Sequence, residues 1–319
     1  MTGNRKPFEP AYLALHRSGE LAKRVARARA RLKDCDLCAR YCRMNRLETL
    51  KGAVWRTGAR ALVSSHGPHH GEEDPLRGTH GSGTIFFSWC NLRCVYCQNW
   101  DISQDGEGRE VTAAELAAMM LSMQRQGCHN INLVSPSHVV AQILDALSIA
   151  AREGLRLPLV YNTGGYDSPE ALTLLDGVID IYMPDMKYGS SAIARKYSKI
   201  RDYLAVNRAA VKEMHRQAGD LVVDGFGIAR RGLLVRHLVL PGELAGTGEV
   251  LRFLAEEVSP NTYLNILGQY RPCHRANGYP ELARRPRRDE MKQAFDLARR
   301  FGLKRLDERA PLAMMPAWL

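Results

Sequence analysis

The sequence has no stretch approaching about 18 uncharged apolar residues, the length needed to span a membrane. Its first ten residues, MTGNRKPFEP, also have no apolar core of the kind that secretion signals carry. We therefore expect neither export nor membrane insertion, and we predict a cytoplasmic protein. In a reducing compartment its eight cysteines are not expected to form a disulfide framework.

Aromatic residues make up only 7% of the chain, and its formal net charge is +11. The scarcity of aromatic side chains affects which partners this positive charge is expected to bind. Residues 21–33 and 283–288 carry much of the positive excess, and such runs attract phosphates or acidic partners. No aromatic side chains are interleaved with them to stack on bases, and arginine at helical spacing is typical of a solvated helix face. Nucleic acid is therefore not an expected partner.

No internal repeat or long low-complexity tract interrupts the 319 residues. From Thr84 to about residue 302, short apolar runs alternate with helical patterns, which is typical of βα units around a parallel sheet. The predicted strands span 84–88, 130–134, 158–161, 178–183, 232–240 and 262–267, and the predicted helices span 111–127, 137–154, 168–177, 201–218, 246–258 and 288–302. These elements predict an α/β fold with a partial (β/α)6 barrel.

The predicted barrel covers residues 83–302, between an N-terminal extension (1–82) and a C-terminal tail (303–319). The extension contains a basic helix, a three-cysteine segment and the Gly- and His-rich linker SSHGPHHGEEDPLRGTHGSG. Polar clusters follow the predicted strands, as expected where the carboxyl ends of parallel strands carry the site.

Three cysteines lie in one eight-residue run after the first predicted strand, Cys90, Cys94 and Cys97 in CNLRCVYC. This spacing lets three thiolates bind three irons of a cubane cluster and leaves the fourth iron without a protein ligand. Zinc sites usually present two close pairs and four ligands, which this run lacks. The run therefore favours a [4Fe–4S] cluster with an open iron.

The cysteine run, including Tyr96, resembles the cluster motif of the radical SAM superfamily. The segments DIYMPDMKY and RHLVLPG resemble the pyruvate formate-lyase activating enzyme subgroup. The resemblance implies that S-adenosylmethionine (SAM) binds the open iron and is cleaved reductively to a 5′-deoxyadenosyl radical, which abstracts hydrogen from a substrate. Trp89 stands where this subgroup is expected to have a small residue, often glycine.

The same resemblance implies a SAM pocket along the strand ends. Lys187 would pair with the SAM carboxylate, and the turn containing Ser135 and Ser137 would contact its amino group. Asp185 and Thr163 match a monovalent-cation site, although Asn162 replaces an aspartate there. The further predicted cofactor contacts are Tyr96, His237 and Gln269.

A second group, Cys35, Cys38 and Cys42, lies in the N-terminal extension. The subgroup is expected to have a fourth cysteine downstream, but Trp55 stands at that place, and tryptophan does not ligate metal. Three interpretations stay open on ligand count: zinc completed by a histidine such as His66, His69 or His70, a second cluster with an open iron, or a segment without metal.

The sequence thus predicts a radical SAM enzyme whose substrate is a glycyl-radical enzyme, that is, an activase. The alternatives are radical modification of a small molecule, a peptide or an RNA, and a non-catalytic metal-binding module that docks an acidic partner, because a shared fold hosts many reactions. The expected partners are an electron donor such as flavodoxin or ferredoxin and a protein or peptide substrate.

Overall fold

The computed structural model describes residues 8–51, 53 and 55–307, which form a mixed α/β fold with a nine-stranded sheet. The strands are β1 (Ala61–His69), β2 (Ser82–Phe87), β3 (Arg109–Val111), β4 (Ile131–Val134), β5 (Leu159–Thr163), β6 (Ile181–Pro184), β7 (Val222–Val223), β8 (Ala229–Leu238) and β9 (Tyr263–Leu267). The helices are α1 (Tyr12–Arg17), α2 (Glu20–Ala30), α3 (Asp74–Arg77), α4 (Ala113–Arg125), α5 (Val140–Arg152), α6 (Pro169–Leu175), α7 (Ser191–Ser198), α8 (Tyr203–Ala218), α9 (Thr247–Phe253) and α10 (Arg288–Arg300).

Each of the six predicted apolar runs overlaps a strand, and these six strands pair in parallel in the order β2, β4, β5, β6, β8, β9. Among the described residues no strand pairing joins β9 to β1, β2 or β3, so the sheet is open between its two ends. The closure and curvature implied by a partial barrel stay a prediction.

Strand β1 lies largely within the segment that the sequence predicts to be a linker. It runs antiparallel to β2, from Val63 opposite Phe87 to His69 opposite Ser82. Only Ala61 and Val63 of its nine residues are buried, so it has no apolar run or sustained alternation to reveal it. The short strands β3 and β7 and the helices α1, α3 and α7 are likewise absent from the prediction.

The two faces of the sheet carry different sets of buried side chains. Tyr161 and Tyr182 pack in the core beneath the helices, whereas Val160, Met183 and Leu234 join Leu76 of α3 on the opposite, interior face. Because side chains alternate along a strand, the residues two positions further on share that interior face. Those residues are Asn162, Asp185 and Arg236.

Helix α2, which carries much of the N-terminal basic run, packs on α5. Its Arg24 donates to the carbonyl oxygens of Leu174 and Asp176, and Arg29 pairs with Asp145. These arginines are therefore engaged within the chain. No helix in the described ranges is long and apolar enough to cross a membrane.

Candidate metal centre

The cysteine run forms a loop at the carboxyl end of β2, and the loop begins with an unusual backbone conformation at Trp89. Its φ is +69°, in the left-handed region that favours glycine, which explains why a small residue is expected there. The Trp89 N–H donates to the Ile102 carbonyl at 2.9 Å. A side chain at Gly106 would meet the indole ring at 2.3 Å, so the ring fits only against a glycine.

Each cysteine sulfur of the loop has at least one hydrogen-bonding partner from the protein. The backbone N–H of Leu92 donates to Cys90 Sγ at 3.4 Å. The hydroxyl of Ser198 lies 2.9 Å from Cys94 Sγ, and that of Ser103 lies 3.1 Å from Cys97 Sγ.

Burial raises the pKa of Cys90 to about 11 and that of Cys94 to about 12, and the Lys187 ammonium opposes this rise at both thiols. Across the described ranges, no three His, Cys, Asp or Glu side chains converge on a point that one metal ion would occupy. Three soft thiols in one loop, with no fourth protein ligand, instead fit a cluster that offers each thiolate a separate iron.

Asp185 follows β6 and lies between two cations. Lys187 Nζ is 2.5 Å from Asp185 Oδ2, and Arg236 Nε is 3.0 Å from Asp185 Oδ1. Burial alone would raise the pKa of Asp185, but Arg236 and Lys187 outweigh it and lower that pKa. The carboxylate is therefore ionised and fixes the direction of the lysine.

Arg236 is a site residue that sequence reasoning missed. Its Nη2 donates to Asn162 Oδ1 at 2.6 Å, so its guanidinium joins Asp185, expected beside a monovalent cation, to Asn162, which replaces the expected aspartate. The signal was present in RHLVLPG, because Arg236 lies on the same face as buried Leu234 and close to the carboxyl end of β8. Thr163, expected at the cation as well, donates to Asp167 Oδ2 at 2.7 Å instead.

The two serines of the turn after β4 have different neighbours. Ser135 has a φ of +58° and lies beside Cys90, where its hydroxyl lowers the pKa of that thiol. Ser137 is buried and its hydroxyl contacts that of Thr163 at 2.9 Å. The structure therefore brings Ser135, but not Ser137, to the cysteine loop.

The remaining predicted contacts differ in exposure. His237 is fully buried, and its ring nitrogens contact the Met186 carbonyl at 2.6 Å and Thr247 Oγ1 at 3.0 Å. Burial lowers the pKa of His237 to about 4, so its ring is neutral. Its contact with the Met186 carbonyl supports the backbone just before Lys187. Gln269 is exposed at the end of β9. Tyr96 is buried, and its hydroxyl donates to that of Tyr188 at 2.5 Å.

In the N-terminal extension, the guanidinium of Arg46 lies against the second cysteine group. Its Nη1 donates to Cys35 Sγ at 3.6 Å, and its carbon Cζ lies 4.4 Å from the centre of the Trp55 ring. A hydrogen bond from Cys42, together with Arg46, lowers the pKa of Cys35 to about 6 against the effect of burial. Burial raises the pKa of Cys38 to about 11.

The histidines suggested as a fourth ligand, His66, His69 and His70, are exposed on or next to β1. The indole N–H of Trp55 lies beside Cys38 and favours its thiolate, although the geometry falls short of an ordinary hydrogen bond. Trp55 also stacks on His138 with ring centres 6.1 Å apart.

Side chains of the extension and of the β4–α5 turn bind the backbone around the cysteine loop. Arg40 Nε donates to the Asn91 carbonyl at 2.8 Å. Arg46 donates to the His138 carbonyl at 2.8 Å, and the His138 ring contacts the Ser88 carbonyl at 3.0 Å. These contacts join residues far apart in sequence, so no local pattern predicts them.

Residues 84–254, more than half of the chain, match the family model of the radical SAM superfamily. An uncharacterized protein of Methanocaldococcus jannaschii is 31% identical over 293 residues, which are 89% of this chain and 78% of that protein. The chain belongs to the radical SAM superfamily. Membership implies a [4Fe–4S] cluster and SAM as cofactors, and thus a radical SAM enzyme.

Two solved structures are similar at low identity. A radical SAM methyltransferase from Sphaerobacter thermophilus is 16% identical over 69% of this chain, with a TM-score of 0.46. The [FeFe]-hydrogenase maturase HydG is 12% identical over 92% of this chain, with a TM-score of 0.47. The chain spans 64% of the length of each.

Replacing Lys187 tests the SAM pocket. We expect Lys187→Ala to weaken SAM binding by about tenfold or more, because a charge-assisted contact to a carboxylate is lost, while the cluster stays loaded. SAM affinity is measured by titration of the reconstituted protein, with iron content as the check on loading. Lys212→Ala, at an exposed lysine paired with Glu257, is the matched control. Tight SAM binding by Lys187→Ala would contradict the assignment.

Proposed function

We propose that this protein is an activating-enzyme-like radical SAM enzyme, which cleaves SAM reductively and generates a radical on a glycine of a protein substrate. The observation that carries the SAM chemistry is the position of Lys187: a Cβ added at Gly164 would lie 2.6 Å from the Leu92 side chain of the cysteine loop and 3.9 Å from Lys187 Cε. A carboxylate bound by Lys187 would therefore lie next to the cysteine loop.

Different residues of the chain have different roles in the proposed reaction. Cys90, Cys94 and Cys97 would hold three irons, and Lys187, directed by Asp185, would bind the SAM carboxylate. When bound, the cluster and SAM supply an electron and a hydrogen-abstracting radical. Packing of Cys94 among Tyr96, Tyr188 and neighbouring side chains shields this side of the loop from water.

A protein substrate is supported by the open sheet. No strand pairing among the described residues joins β9 to β1, β2 or β3, and we propose that an extended peptide approaches the sheet face carrying Asp185 by a route on this side. This route, together with the resemblance of DIYMPDMKY and RHLVLPG, favours the activase over a reaction on a small molecule, a free peptide or an RNA. We further propose flavodoxin or ferredoxin as the electron donor.

We also propose that the second cysteine group binds no metal. Arg46, only 2% exposed, places a positive charge against Cys35, and Trp55 fills the position of a fourth ligand. A cation held by the protein thus takes the place that a zinc ion or a second cluster would have.

SAM cleavage is tested by anaerobic reconstitution followed by reduction with dithionite and measurement of 5′-deoxyadenosine. We expect product from the native protein and none from Cys94→Ala, because loss of one thiolate leaves the cluster with two protein ligands. Cys128→Ala, at a buried cysteine outside both groups, is the control. A fully loaded native protein that forms no 5′-deoxyadenosine would contradict the enzymatic proposal.

The substrate is tested with pyruvate formate-lyase deuterated at the glycine Cα. We expect deuterium in the 5′-deoxyadenosine and a glycyl-radical signal in the electron paramagnetic resonance (EPR) spectrum, since the hydrogen is taken directly from that carbon. Normal SAM cleavage without deuterium transfer would contradict the activase proposal and leave a reaction on another substrate class.

Metal analysis tests the second group. A variant with Cys90, Cys94 and Cys97 all changed to alanine is expected to retain neither iron nor zinc after reconstitution, because the Arg46 guanidinium already donates to Cys35 in the second cysteine group and Trp55 stands where a fourth ligand would be. A variant with serine at positions 35, 38 and 42 should load the same iron as the native chain. One zinc ion or one cluster per chain in the first variant would contradict the proposal.

A further inference from the structure

A chain of buried hydroxyl groups ends on one sulfur of the cysteine loop. Ser198 Oγ lies 2.9 Å from Cys94 Sγ and 2.6 Å from the hydroxyl of Tyr188. The Tyr188 hydroxyl lies 2.5 Å from that of Tyr96. Ser198 and Tyr188 are fully buried and Tyr96 is 5% exposed, so bulk water does not compete for these contacts.

The direction of these hydrogen bonds follows from the charge of the sulfur. A cysteine that binds iron is a thiolate and can only accept, so Ser198 must donate to Cys94. The Ser198 oxygen is then free to accept from Tyr188, and the Tyr188 oxygen accepts from Tyr96. All donors along the chain therefore point towards Cys94, and each bond polarises the next one.

The last turn of α7 fixes Ser198 against the loop. The Arg93 N–H donates to the Ser198 carbonyl at 3.2 Å, and the Val95 N–H donates to the Tyr197 carbonyl at 2.8 Å. These two backbone contacts flank Cys94 in sequence. The serine hydroxyl is thus placed by main-chain geometry and does not depend on a mobile side chain.

We propose that Ser198 is a positioning residue that sets the reduction potential of the cluster by donating a hydrogen bond to Cys94 Sγ, with Tyr188 and Tyr96 strengthening that bond. The inference rests on the proposed cluster at Cys90, Cys94 and Cys97. Hydrogen bonds to cluster sulfurs stabilise the added electron, and solvent exposure and such bonds are the protein's means of setting the potential.

Ser103 makes the corresponding contact to Cys97 at 3.1 Å, but this serine is half-buried. Water can replace its hydroxyl when it is removed, so its contribution to the potential is smaller. The difference in burial assigns the main effect to Ser198.

The test is an EPR-monitored redox titration of the reconstituted protein without substrate. In Ser198→Ala we expect one-electron reduction to be about tenfold less favourable, which corresponds to a midpoint about 59 mV more negative. Tyr188→Phe should shift the midpoint in the same direction by less, because Ser198 still donates. Ser198→Thr keeps a hydroxyl and should stay close to the native value.

Tyr197→Phe is the matched control, because Tyr197 precedes Ser198 on α7 and its hydroxyl donates to Glu281 instead. Its midpoint should equal the native one. Equal midpoints in native protein and Ser198→Ala, at equal iron content, would overturn the proposal. If Ser198→Ala does not load iron, an unchanged midpoint in Tyr188→Phe overturns it. A shifted midpoint in a protein that makes no 5′-deoxyadenosine would support this inference and contradict the proposed function alone.

Discussion

The carboxylate of Asp185 is the charge on which the arrangement at the strand ends depends. It binds Lys187 on one oxygen and Arg236 on the other, and each of the three side chains is 18% exposed. Two cations of this kind would repel each other without it, and removing one partner of a buried ion pair leaves an uncompensated charge that costs about 3–5 kcal/mol. The loop before α3 adds Glu72, 3.8 Å from Arg236, and burial raises the pKa of this carboxyl to about 7.

Much of the fold and the cysteine loop could be predicted because their signals are local. Strand periodicity located β2, β4, β5, β6, β8 and β9, and the spacing of Cys90, Cys94 and Cys97 identified the loop. Strand β1 escaped prediction because only two of its nine residues are buried, which leaves no apolar pattern in the sequence. Arg236 and Ser198 escaped it for another reason, since their partners lie 51 and 104 residues away and become neighbours only when the sheet forms.

The N-terminal extension supports the backbone around the cysteine loop, whether or not the extension binds metal. Arg40 and Arg46 each satisfy backbone carbonyls near it, at Asn91 and His138, and the Arg46 charge is balanced by the Cys35 thiolate. A buried guanidinium is stable only where acceptors surround it, and here the acceptors belong to the cysteine segment and to the turn after β4. The extension and the sheet therefore fix each other's geometry at this point.

Two groups act on Cys94 from different sides: the Lys187 ammonium through its charge and the Ser198 hydroxyl through a hydrogen bond. Both stabilise negative charge at the sulfur, but they respond differently to the proposed binding of SAM. A carboxylate bound to Lys187 would neutralise much of its charge, whereas the Ser198 contact is internal to the protein and stays. The hydrogen bond from Ser198 would therefore be the contribution to stabilising the added electron that SAM binding leaves unchanged.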